Sequence, residues 1–183
     1  MKEKYGDRRR TQIAGAVEQL DIEDLIAEED VIVTVSHIGY IKRMPTDTYR
    51  RQGRGGRGII GSDTKEGDFI KHLFIASTHD YLLIFTNRGK CYWLRVYDVP
   101  AMSRQSKGRS IANLLNLGNQ QIASIIAVSS FDDEEEGQPE RQLLMATKNG
   151  VVKKTRLSAY GNPRSTGVIA INLDPNDALI GVG

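Results

Sequence analysis

The stretch with the most evident chemistry is Arg50-Arg51-Gln52-Gly53-Arg54-Gly55-Gly56-Arg57-Gly58, four arginines and four glycines around one glutamine, with no acid among them. Glycines without side chains let main-chain N–H groups approach an anion. The guanidinium groups of Arg50, Arg51, Arg54 and Arg57 add charge and forked donors that match phosphate oxygens. A nucleotide cradle would need a strand before the glycines and a helix after them, with the helix N-terminus facing phosphate. Here the glycines run into IIGSDTKEGD, which has no helical pattern. A disordered arginine-glycine tail does not fit either, because the motif is single, short and held between strand-like segments. What remains is a surface loop built to lie along a polyanion backbone. Nothing else in the chain reads as catalytic. His37, His72 and His79 form no ligand-like grouping with the single cysteine, Cys91, and no serine, histidine and acid arrangement stands out.

The elements that must position this loop follow from composition and repetition. At 183 residues and 39% hydrophobic, the chain can bury one good-sized core or a short array of smaller units. No apolar run approaches the ~20 residues of a membrane span, and the N-terminal MKEKYGDRRR lacks the apolar stretch of a signal peptide. One cysteine excludes an intrachain disulfide, so the expected compartment is the cytoplasm. The net charge of +2 is unevenly spread: −4 over residues 1–30, +5 over 31–60, +3 over 61–131, −6 over 132–140 and +4 over 141–183. Basic segments kept apart from acidic ones point to a polyanion partner.

Three segments share one pattern: VIVTVSHIGYIKRM from Val31, YLLIFTNRGKCYWL from Tyr81 and QLLMATKNGVVKKT from Gln142. Each is an apolar run, a polar turn ending in glycine, and a second alternating run, which predicts β-hairpins turning at Gly39, Gly89 and Gly150. A second glycine follows each turn at a nearly constant interval, Gly58 after Gly39, Gly108 after Gly89 and Gly167 after Gly150, with basic residues shortly before each. Further strands are expected between the units, in DFIKHLFIAS, QIASIIAVSS and DALIGVG. The last has no hairpin after it, so the chain is expected to stop inside a fourth unit. Pro45 argues against a central strand continuing beyond the first hairpin. The intervals from Gly39 to Gly89 and from Gly89 to Gly150 fit the blades of a propeller-like β array, the second stretched by a surface loop, FDDEEEGQPE. Helix is expected only near the start, where Ile22, Leu25 and Ile26 have helix-like spacing. Cys91 aligns with Ile41 and Val152 and reads as a buried strand position; Trp93, in the column of Arg43 and Lys154, reads as packing against a neighbouring strand.

Gln52 to Gly58, QGRGGRG, resembles the box motif of the DNA gyrase A-subunit family, with Gly53 where that motif usually has a basic residue. The resemblance extends through EKYGDRRRTQI, DIEDLIAEEDVIVTVSHIGYIKRMPTDTYRRQ, HLFIASTHDYLLIFTNRGK and KGRSIANLLNL. It implies an all-β β-pinwheel of hairpin-exchanging blades, about three of a usual six, near 31–80, 81–130 and 141–183. Residues 1–30 would be a partly helical lead-in from the catalytic core. It also implies the DNA-wrapping part of an ATP-dependent type II topoisomerase. The family's catalytic tyrosine sits in an Arg-Tyr-Thr context upstream, whereas this chain offers only Thr48-Tyr49-Arg50, so no catalytic residue is expected here. ATP and Mg would enter through the partner B subunit of an A2B2 holoenzyme, in the cytoplasm of a bacterium and associated with the nucleoid.

On that resemblance a duplex wound around the rim would meet three basic loops. The first carries Arg50, Arg51, Gln52, Arg54, Gly55, Gly56, Arg57 and Gly58. The second carries Arg104, Lys107 and Arg109, and the third Lys153, Lys154, Arg156 and Arg164. Such contacts hold phosphates and do not read bases, so binding would be nearly sequence-independent and limited by DNA bending. Two alternatives stand beside this: the related A subunit of topoisomerase IV, which usually lacks an intact box, and a propeller that binds proteins and no nucleic acid. The acidic loop 132–140 is expected to be solvated surface.

Overall fold

The computed structural model describes residues 22–48, 67–131 and 140–183. The box from Gln52 to Gly58, the flanking Arg50 and Arg51, and most of the acidic loop lie outside these residues. The three hairpins form where the alternation places them: β1 (Asp30–Ser36) with β2 (Tyr40–Pro45), β4 (Tyr81–Thr86) with β5 (Lys90–Arg95), and β8 (Gln142–Thr147) with β9 (Val152–Arg156). Gly39, Gly89 and Gly150 all have positive φ. Their registers correspond, with Val35 opposite Ile41, Phe85 opposite Cys91 and Ala146 opposite Val152.

The strands expected between units each close the sheet of the hairpin before them. β3 (Ile70–Ser77) pairs with β1, β7 (Ile122–Val128) with β4, and β11 (Leu179–Val182) with β8. Leu179–Val182 therefore completes the third sheet and does not open a fourth unit, because the free edge of each hairpin's first strand is the nearest set of unpaired backbone groups. Two very short strands cross between units: β6 (Arg109–Ser110), which follows the second hairpin, pairs with β2 of the first, and β10 (Val168–Ile169), which follows the third, pairs with β5 of the second. The sheet orders are β3-β1-β2-β6, β10-β5-β4-β7 and β11-β8-β9. Each of the first two sheets is thus finished by its successor.

Helix is not confined to the start. Ile22–Leu25 forms a 3-10 turn, and further 3-10 turns follow β2 (Thr46–Thr48), β5 (Val96–Asp98), β6 (Ile111–Asn113) and β9 (Leu157–Tyr160). A single such turn takes the chain off a sheet edge within a few residues, too short to leave a hydrophobic period in the sequence.

The two cores explain the apolar runs. Successive residues of a strand face opposite sides, so Val31, Val33, Val35 and Ile41 meet Leu82, Ile84, Tyr92 and Leu94 in one cluster. Leu83, Phe85, Cys91 and Trp93 meet Leu143, Met145 and Leu179 in the other. The middle sheet is buried on both faces, which is why YLLIFT and KCYWLR read as almost unbroken apolar runs. Cys91 lies in this interior, as its alignment predicts, and burial pushes its thiol pKa up. Trp93 packs against the third unit, its indole N–H donating to the Tyr160 carbonyl at 2.8 Å.

A clasp recurs at each hairpin turn. Asp68 accepts from the Ile38 amide at 3.1 Å, and Asp177 accepts from the Asn149 amide at 3.0 Å. Gln120 takes the corresponding place in the middle unit, meeting the Thr86 hydroxyl at 2.7 Å. Desolvation opposes ionisation of both aspartates, but hydrogen bonds outweigh it and lower their pKa values: from Ser36 and the Ile38 and Phe69 amides to Asp68, and from Thr147 and the Ala178 and Asn149 amides to Asp177.

Candidate nucleic-acid interface

The second basic loop is built against the edge of β2. After the 3-10 turn Val96–Asp98, the chain runs parallel to β2, with the Arg43 amide donating to Pro100 and the Met102 amide donating back to Arg43, both at 3.0 Å. It leaves the edge at Ser103 and returns as β6, where Arg109 lies opposite Ile41 and Ser110 opposite Tyr40. The excursion carries Arg104 and Lys107; Lys107 and Arg109 are exposed and Arg104 is half-buried. Its return is fixed by Gly108, which has φ +89° and would place a Cβ 2.8 Å from the Ile41 carbonyl oxygen. No side chain fits there.

The returning half of this construction recurs one sheet on. After the 3-10 turn Leu157–Tyr160, an exposed loop containing Arg164 leads to β10 on the edge of β5. Gly167 (φ +70°) makes the return, and a Cβ there would lie 2.9 Å from the Cys91 carbonyl and 2.8 Å from the Tyr92 ring. Cys91 holds in the second hairpin the register place that Ile41 holds in the first, so the two glycines do one job.

Lys153, Lys154 and Arg156 are not loop residues. They belong to β9, because the alternating run after Gly150 continues as a strand through all three. As neighbours on a strand, Lys153 and Lys154 face opposite sides. Lys153 donates to the Ala170 carbonyl at 2.6 Å, and Arg156 pairs with Glu140 at 2.6 Å, although Arg156 is largely exposed. β9 is nevertheless the third-sheet counterpart of β2 and β5, so these cations lie along the equivalent edge.

Charge counting overstates the free basic surface of the first two units. Lys42 is 2% exposed, and Arg43 donates through Nε to the Val99 carbonyl at 2.8 Å. Arg95 pairs with Glu23 at 2.6 Å, with its guanidinium 3.6 Å from the Tyr81 ring centre. Sequence reasoning gave Lys42 no role. The alternation Ile41-Lys42-Arg43-Met44 in a strand flanked by buried positions was the only available signal.

A family model for the DNA gyrase C-terminal domain, described as a β-propeller, matches residues 30–77, 80–129 and 141–183. The chain belongs to this family. The matched segments follow the three sheets, so the fold is the family's β-pinwheel arrangement. Among curated proteins, the chain is 48% identical over 183 residues to the DNA gyrase A subunit of Clostridium acetobutylicum, covering 100% of this chain and 21% of that protein. It is 46% identical to the DNA gyrase A subunit of Haemophilus influenzae, covering 20% of it. The chain thus spans about one fifth of the length of these relatives. Among solved structures, the C-terminal domain of a DNA topoisomerase IV matches with a TM-score of 0.70 and 29% identity, over 86% of this chain and 46% of that one. A DNA gyrase A C-terminal domain matches with a TM-score of 0.62 and 28% identity, over 84% and 47%. No helix among the described residues is long and apolar enough to cross a membrane.

Proposed function

We propose that this chain binds duplex DNA along the edges of its successive sheets and wraps it. In the holoenzyme with the B subunit, that wrap gives the type II topoisomerase reaction its direction, toward ATP-dependent negative supercoiling. The observation that carries this reading is the repeated loop: a basic excursion leaves and rejoins the edge of β2, and its counterpart rejoins β5, each closed by a glycine with no room for a side chain. In the sequence the box follows the 3-10 turn Thr46–Thr48 and ends at Gly58, which lies as far beyond Gly39 as Gly108 lies beyond Gly89, and this spacing supports reading it as the first loop of the series. Cations spaced along equivalent edges neutralise phosphates without reading bases.

On this reading residues 31–183 are the first half of a six-bladed pinwheel and residues 1–30 the lead-in from the core; coverage of just under half of the solved domains supports it. ATP and Mg act at the partner subunit, in the bacterial cytoplasm at the nucleoid. The structural match to a topoisomerase IV C-terminal domain supports a second reading, in which the same rim serves the related A subunit of topoisomerase IV. Arg54→Ala/Arg57→Ala in the full-length subunit, reconstituted with its B subunit, separates the two. Supercoiling should fall far more than relaxation. Equal loss of both would speak against a wrapping role.

A further inference from the structure

The excursion of the second basic loop is open on its inner side, and one residue fills it. Lys42 stands on β2 between the place where the loop departs, at Arg43, and the place where it returns, at Ile41. Its ammonium donates to three loop carbonyls: Ser106 at 2.6 Å, Arg104 at 2.7 Å and Ser103 at 3.3 Å. An ammonium has three donors and strict hydration needs, and when buried it is tolerated only where acceptors converge on it. Those three carbonyls therefore turn inward together. Their convergence gives the loop one shape, reinforced by the Ser106 amide donating to the Ser103 carbonyl at 3.1 Å and the Gly108 amide to the Ser106 hydroxyl at 3.4 Å.

The middle sheet offers an internal contrast. The place of Lys42 is taken there by Tyr92, whose ring lies against Gly167, and the loop it faces is slightly shorter, since Gly150 and Gly167 are closer in the chain than Gly89 and Gly108. A lysine cage thus accompanies the longer, more basic loop.

We propose that Lys42 is a positioning residue for DNA binding: it touches no phosphate itself but holds the Ser103–Gly108 loop so that Arg104 and Lys107 meet the duplex backbone. This rests on the reading of that loop as a DNA contact. The test titrates a random-sequence duplex with the full-length subunit over a range of salt, comparing Lys42→Met, Arg104→Ala/Lys107→Ala and the triple variant. Lys42→Met should weaken binding by about the factor that the double variant does, roughly tenfold at low salt, and should lower the salt slope similarly. The triple variant should be no weaker than the double. Hydrogen exchange at Ser106 and Gly108 should accelerate in Lys42→Met, while the β4 and β5 amides stay protected.

If the double variant binds as tightly as the parent, the loop is not a DNA contact and the functional reading of this loop fails. If the double variant weakens binding but Lys42→Met changes neither binding nor loop exchange, only the positioning role is overturned. Additive losses in the triple variant would likewise overturn it, showing that Lys42 acts independently of the loop. Should Lys42→Met unfold, Lys42→Gln, which keeps two donors, is read by the same criteria. Unfolding of both would assign Lys42 to stability alone and reject the proposal.

Discussion

The loop on β2 and the loop on β5 solve one problem with different chemistry. Both follow a 3-10 turn and reach a sheet edge through a glycine pressed against a carbonyl, although only the first also departs from the edge it rejoins. The first is longer and is shaped by a buried ammonium gathering three carbonyls. The second is shorter and lies against an aromatic ring, with Trp93 anchoring its 3-10 turn through Tyr160. The return is therefore the common part of the device, and the filling of the loop is what varies. A polar filling supports a loop with two cations, the half-buried Arg104 and the exposed Lys107, whereas an aromatic filling supports one with Arg164.

The largest expected effect is at the shared part. Gly108→Ala and Gly167→Ala each combine a left-handed backbone with a Cβ inside 3 Å of a carbonyl, and each should cost about 3 kcal/mol in denaturant unfolding. Gly118, also at positive φ but with open space around a Cβ, should lose only about 1 kcal/mol on the same substitution. Equal losses at Gly108 and Gly118 would show that φ alone matters and that the crossing strands are not tightly seated.

A smaller effect should separate the loops by charge. Arg104→Ala/Lys107→Ala should lower the salt slope of duplex binding by up to about two units and Arg164→Ala by up to about one, measured by titration at a series of salt concentrations. A larger change from Arg164 would reverse the ranking drawn from loop length.

The turn clasps differ in the same manner between units. Asp68 and Asp177 have lowered pKa values, so the stability they contribute is complete above the unfolded carboxylate pKa, about 3.9, and is lost as pH falls through their lower folded values. The middle unit uses Gln120, which does not titrate. Hydrogen exchange below about pH 4 should loosen the first and third hairpin turns before the second, and Asp177→Asn should remove that pH dependence from the third.

The smallest effect is expected at Arg156. Its ion pair with Glu140 is mostly exposed, so Glu140→Gln should shift stability by less than about 0.5 kcal/mol, with duplex affinity essentially unchanged.

The hairpins were legible because alternation and a turn glycine are local; the burial of Cys91 followed from its alignment with Ile41, although Val152 in the same column is exposed, and the packing of Trp93 followed from the ring itself, since its column otherwise holds Arg43 and Lys154. β6 and β10 were not, since so short a strand leaves no period and each pairs with the hairpin of the preceding unit. Their only trace was the second glycine, Gly108 and Gly167, recurring at a nearly constant interval after the turn. Basic residues could be counted but not sorted. Lys42, Arg43 and Arg95 spend their charge on the protein's own carbonyls and carboxylates, while Arg109 and Lys154 remain exposed. Lys42 and Arg43 are taken up by the segment that crosses β2 and Arg95 by Glu23 of the first 3-10 turn, partners far away in the sequence.

The most direct test of the central claim is the salt dependence of the affinity between random-sequence duplex and the full-length subunit. Phosphate neutralisation by the basic edges predicts tight binding at low salt, with log K falling linearly against log salt by several units, about 0.9 for each phosphate neutralised, and a shallower line when the cations of the box and second loop are removed together. Affinity that is absent at low salt, or that does not change with salt, would contradict it.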